Sequence, residues 1–158
     1  MILARWRHRA RRLLRLPPAE RRDLVRAQWY LIVARARRRW TPLGQYVDLT
    51  PATAAPAIPA TGSIAPETGA LSARLALAVE RAAEHGPVST TCLERAVALD
   101  RLLRHHGVTA GRIRVGVRWQ DAEFLAHAWV ELGDKVLADS VTRVRGFQSI
   151  ADAKAALT

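Results

Sequence analysis

CLERAVALDRLLRHHGVTAGRIRVGVRW, residues 92–119, changes its period part-way along. Up to about residue 106 the apolar residues Leu93, Ala96, Val97, Leu99, Leu102 and Leu103 recur every three or four positions. That is one face of a helix over 92–106. Gly107 suits the position just past a helix end, where the backbone turns left-handed. From residue 112 the period becomes two. Ile113, Val115 and Val117 alternate with Arg112, Arg114, Gly116 and Arg118, which describes a strand with one buried face.

Beyond that strand, the polar pair Gln120-Asp121 predicts a turn into a second strand over 124–132. Gly133-Asp134 is a hairpin signal leading to a third strand over 136–139. Residues 149–157 fit a small terminal helix. Before residue 92, Leu71, Leu75, Ala78, Val79 and Ala82 mark a helix over 70–85 that Gly86-Pro87 ends. Residues 50–69 hold Pro51, Pro56, Pro59 and Pro66 among Ala, Thr and Gly, the composition of a linker. Pro17-Pro18 breaks the chain further back. Pro18 suits the first position of a helix reaching about Arg39, with Glu20 and Asp23 in its first turn. Leu24, Ala27, Leu31 and Ala34 form its apolar face, widened by Trp29, Ile32 and Val33. Residues 2–15 fit a short basic helix.

Helices first and an antiparallel sheet after them make an α+β protein, a helix bundle packed on a small sheet. The expected organisation is a basic helical segment over 1–48, a linker over 49–69 and the main domain over 70–158.

Among 158 residues the net charge is +11. Residues 1–45 carry thirteen arginines against only Glu20 and Asp23, and the charges of the remainder cancel. The pattern is a basic arm on a neutral domain rather than a basic domain. Aromatic interleaving in the arm is thin and no nucleic-acid motif appears, so no nucleic-acid partner is expected. No apolar run approaches a membrane span. The basic start lacks an apolar stretch and a cleavage site behind it, so no secretory signal is expected. The single cysteine excludes an intramolecular disulfide. No zinc spacing or phosphate loop appears.

Three residues carry the chemistry. Thr91 and Glu94 have capping-box spacing, which puts Cys92 at the first position of its helix. The partial positive charge there favours a thiolate, the reactive form of a thiol. His127 sits mid-strand between Ala126 and Ala128, whose small side chains leave room for a neighbour. Asp139 ends the next strand. Taken singly, each has an ordinary explanation: a small packed thiol, a core histidine with one hydrogen bond, a turn acid. Together they supply the nucleophile, base and orienting acid of Cys-His-acid catalysis.

The hairpin tests this grouping. A two-residue loop at Gly133-Asp134 pairs His127 with Ser140 and sends Asp139 to the other face. A three-residue loop through Lys135 pairs Trp129 with Asp139 and puts Asp139 diagonal to His127. The expectation is therefore the odd loop, or an equivalent bulge. His105 and His106 read as helix C-terminal residues rather than metal ligands, Asp121 and Glu123 as solvated turn acids, and Trp29, Trp119 and Trp129 as core or cleft wall.

The segments TTCLERAVALDRLLRHHGV, RIRVGVRW, FLAHAWVEL and VLADS, in that order, resemble the leader peptidases of lasso-peptide biosynthesis. Their fold is similar to that of the transglutaminase-like and papain-like thiol enzymes. The resemblance covers about residues 87–140 and, loosely, the N-terminal helices. It implies a cytoplasmic cysteine peptidase with a catalytic triad on Cys92, His127 and Asp139 and with no cofactor and no metal. It also implies three partners: a precursor peptide, a separate leader-recognition protein (residues 1–45 being too short for a fused one) and the lasso cyclase of the same pathway. A transglutaminase-like acyltransferase and a non-catalytic basic binding module are the alternatives.

Overall fold

Proline decides where two of the helices begin. Its φ is already helical, and it lacks only an amide hydrogen that a helix N-terminus would leave unpaired. In the computed structural model, which describes residues 16–38 and 64–149, helix α1 spans Pro18–Arg37 and α2 spans Pro66–His85. The last four residues of the expected linker thus belong to α2. Helix α3 follows at Cys92–His105, strand β1 at Arg112–Gln120, β2 at Glu123–Leu132 and β3 at Lys135–Leu137. A one-turn helix α4, Val141–Val144, and a short strand β4, Gln148–Ser149, complete the order. Ser149 therefore lies in a strand, not at the start of a helix. The basic helix expected over 2–15, most of the linker and residues 150–157 lie outside the described residues.

The class is α+β. The sheet has the order β3-β2-β1-β4 with every neighbour antiparallel. Helices α1, α2 and α3 pack on one another, and α3 lies on β2 and β1. Leu31, Leu75, Val79, Leu102 and Leu103 are fully buried where the helices meet. Ile113, Ala128, Val130, Leu132 and Leu137 close that core from the sheet. Each such leucine stabilises the fold by about 1.5–3 kcal/mol. No described helix is long and apolar enough to cross a membrane.

Helix α1 buries a narrower face than its sequence suggests. Ala27, Leu31 and Ala34 are covered, but Trp29 is 62% exposed and Ile32 38%. Among the described residues, neighbours lie on only one side of α1, and Trp29 and Ile32 fall outside that contact. Trp119 is exposed too, against Phe124 at the hairpin tip, leaving Trp129 as the buried tryptophan among the three singled out.

Asp23 also departs from expectation. Glu20 occupies the first turn, whereas Asp23 is buried and faces inward. Its Oδ2 accepts from Arg74 Nε at 3.0 Å, and His106 Nε2 lies 3.1 Å from its Oδ1. A buried carboxylate needs such partners, and these link α1, α2 and the end of α3. His106 is the C-cap of α3 and His105 is exposed beside it.

The β1–β2 turn holds Asp121 and Ala122, both left-handed at φ 51° and 65°. Two successive positive φ values match the twist of a two-residue hairpin, but alanine tolerates that region poorly. Ala122→Gly is expected to raise stability by about 0.5–1 kcal/mol in thermal or denaturant unfolding. A lower melting temperature would contradict the turn geometry.

Candidate active site

The thiol is positioned by a capping box. Glu94 N–H donates to Thr91 Oγ1 at 3.4 Å, and Thr91 N–H donates to Glu94 Oε2 at 2.8 Å. Both interactions satisfy amides that the helix start would leave unpaired. Cys92 is consequently the first residue of α3, half-buried and packed at the margin of the helical core. Glu94 is buried, and its charge would oppose a thiolate two residues away. Arg38 Nε, 3.2 Å from Glu94 Oε1, offsets that charge.

His127 and Asp139 are in contact: His127 Nε2 is hydrogen-bonded to Asp139 Oδ2. The route to this contact differs from the expected odd loop. The loop has two residues, Gly133 and Asp134, with Leu132 opposite Lys135 and Val130 opposite Leu137. Gly133 at φ 60° allows that tight turn. Continued one step further, this register would aim Asp139 away from His127. Pairing stops at Leu137 instead, and Ala138 adopts φ 55°. That one left-handed residue reverses the direction of the next side chain. It does the work of a bulge at the end of the strand rather than in the loop.

Further contacts fix the carboxylate. Ser140 N–H donates to Asp139 Oδ1 at 2.7 Å, and Arg143 Nη1 lies 3.7 Å from the same oxygen. Ser140 Oγ accepts from Arg143 N–H at 3.2 Å, capping α4. The Asp139 side chain is 5% exposed and the imidazole 18%. The acid is thus shielded while the ring retains access to solvent. With Nε2–H given to the carboxylate, Nδ1 is left as the acceptor of the neutral ring.

Rings hold the imidazole. Trp129 stacks on it with centroids 6.0 Å apart, and Phe147 meets it at 5.4 Å. Trp129 Nε1–H donates to Glu131 Oε1 at 2.9 Å, and Arg114 Nε donates to Glu131 Oε2 at 3.1 Å. The Arg118 guanidinium covers Phe147. Gly116 stands opposite His127 in the β1–β2 ladder. A Cβ there would come within 2.7 Å of Phe147 Cβ and 2.9 Å of the Trp129 ring. Gly116→Ala is therefore expected to destabilise the fold by about 1–3 kcal/mol, read as a lower melting temperature. Unchanged melting would show that the Phe147 arm yields freely.

Alternation places His127, Trp129 and Glu131 on one face of β2. Ala128, Val130 and Leu132 lie on the other face, in the helical core. Of the three residues the sequence singles out, the structure joins His127 to Asp139. Cys92 Sγ makes no hydrogen bond among the described residues. No group of three or more His, Cys, Asp or Glu side chains among them is arranged to hold a metal.

Residues 30–152 match the family model described as the transglutaminase-like superfamily. The chain belongs to that superfamily. No curated protein and no solved structure matches it. Members of the transglutaminase-like superfamily are in general cysteine-type enzymes. The matched span runs from the middle of α1 past β4, so it contains Cys92, His127 and Asp139 together.

The sequence reading missed Gly116, Ala138, Ser140, Arg143 and Phe147. A glycine in the middle of an otherwise regular strand was the available signal for close approach at Gly116. No local signal marks Phe147, because it reaches the imidazole through the tertiary path of α4.

Proposed function

We propose that the protein is a cysteine peptidase that removes the leader from a ribosomally made lasso-peptide precursor, with Cys92, His127 and Asp139 as its triad. The observation that carries this reading is the hydrogen bond from the imidazole to a shielded carboxylate, which leaves Nδ1 as a base. Membership of a cysteine-enzyme superfamily supports it, as do the single cysteine on a capped helix start and the order of the four sequence segments.

In this reading Cys92 Sγ attacks the carbonyl carbon of the leader's last residue. His127 Nδ1 takes the thiol proton and delivers it to the departing amine of the core peptide. The leader remains as a thioester until water, deprotonated by the same imidazole, releases it as a carboxylic acid. The backbone N–H of Cys92, at the first helical position, is a donor for the oxyanion. Alignment of sulfur with Nδ1 belongs to the substrate-bound enzyme, since catalytic hydrogen bonds often tighten only there. A separate leader-recognition protein presents the precursor, a lasso cyclase receives the core peptide, and the setting is the cytoplasm.

The superfamily's acyl-transfer chemistry supplies a second reading, in which an amine rather than water accepts the acyl group. Mass spectrometry of precursor incubated with the protein and the recognition protein separates them. Two fragments summing to the precursor plus one water support proteolysis. A product in which a glutamine side-chain carbonyl is joined to an amine, with loss of ammonia, supports acyl transfer instead.

A further inference from the structure

The outer face of α1 carries features that the site does not use. Val25, Trp29, Ile32 and Ala36 are exposed, Val25 at 70%. Their spacing of four, three and four residues makes one straight stripe, roughly 16 Å long at 1.5 Å per residue. Such spacing is the apolar seam by which one helix packs along another. In that register Arg21 and Arg26 fall on the flanking positions, where charges select a partner, whereas Arg35, also flanking, is held by the Ser89 carbonyl oxygen, to which it donates. Arg22 extends the seam towards the start of α1. No ion pair engages Arg21, Arg22 or Arg26 among the described residues. The acids of α1 are occupied elsewhere, Glu20 with Arg81 and Asp23 with Arg74. The family match begins at residue 30, so Val25, Trp29 and most of these arginines precede the matched span.

We propose that this face of α1 docks an acidic amphipathic helix of another protein, one with apolar residues at heptad spacing and Glu or Asp beside them. The apolar stripe is one residue wide, which suits the seam of a partner helix better than the broad face with which a helix enters a lipid surface. Phosphate-backbone binding would place the arginines, not Trp29, at the centre of the face. Arginine also matches carboxylates with two parallel hydrogen bonds, giving the contact direction as well as charge. Nothing here depends on the chemistry of Cys92.

The test is a fluorescence-anisotropy titration of the full chain. The probe is a labelled 21-residue synthetic helix with Leu at the seam positions and Glu at the flanking ones. A scrambled peptide of equal composition, vesicles containing anionic lipid and a short DNA duplex are the comparators. The heptad peptide is expected to bind at least about tenfold more tightly than its scramble. Trp29→Ala and the pair Arg21→Glu, Arg26→Glu are each expected to weaken it about tenfold, and a Lys-flanked peptide to recover binding to the charge-reversed pair. These side chains are exposed or at the margin, so folding is retained, as circular dichroism would verify. Cys92→Ala should bind like the wild type. Equal affinity for the scramble, indifference to Trp29→Ala, or tighter binding to vesicles or DNA would overturn the proposal.

Discussion

A precursor peptide incubated with Cys92→Ala is expected to keep its full mass under conditions where the wild-type protein has released the leader. The predicted loss is at least about 10³-fold in rate, because a methyl group cannot form the acyl-enzyme and the chain holds no second thiol. Cys92→Ser should be nearly as inactive. A hydroxyl ionises far less readily than a thiol, and a helix N-terminus shifts that balance only modestly. Neither change should unfold the protein. Cys92 is half-buried at the edge of the core and its sulfur makes no hydrogen bond among the described residues, so truncation costs about 1 kcal/mol at most. A melting temperature close to wild type alongside lost cleavage therefore assigns the effect to chemistry. The same fragments from wild type and Cys92→Ala would end the peptidase reading.

The parts of the fold that were legible in the sequence are those governed by local rules. The capping box at Thr91 and Glu94, the helix stop at Gly107 and the alternation of β1 each depend on residues within a few positions of one another. The width of the buried face of α1 was not legible, because it depends on which neighbours pack there. Trp29 and Ile32 look like core in a helical projection and face solvent in the fold. Asp23 shows the converse: a residue expected to sit near a helix start lies buried because Arg74 and His106, distant in sequence, come to it. The contact of His127 with Asp139 was expected as a requirement of the chemistry, by an odd loop or an equivalent bulge, but the place of that extra step, at Ala138, was not. Parity along the hairpin requires one extra step, and the sequence offered Lys135 in the loop as readily as Ala138 at the strand end. Alanine carries no signal for a left-handed conformation. It adopts one here because Ser140, Arg143 and His127 all hold the following carboxylate.

The same carboxylate gives the second large expectation. Asp139→Asn preserves shape and should nonetheless be as damaging as Asp139→Ala, with either change lowering the cleavage rate roughly 10²–10⁴-fold. The reason lies in Ser140. Its N–H donates to one carboxylate oxygen at 2.7 Å, so in the asparagine variant that hydrogen bond selects the amide oxygen for Ser140. The amide NH₂ group is then turned towards His127 Nε2. An NH₂ group is a donor only, so Nε2 must become the acceptor and the ring proton must move to Nδ1, the nitrogen required as the base. Alanine imposes no such choice and leaves the ring free to take either tautomer, at the expense of a carboxylate that stabilises the imidazolium. Two readouts separate this from simple structural damage. Nitrogen-15 chemical shifts of the His127 ring should report an Nε2–H tautomer in the wild type and an Nδ1–H tautomer in the asparagine variant. Melting temperatures should fall more for alanine, which loses the contacts to both Ser140 and Arg143. An asparagine variant that keeps most of its activity, or an unchanged tautomer, would remove Asp139 from the role of orienting the base. Nδ1 would then no longer be assigned as the atom that takes the thiol proton.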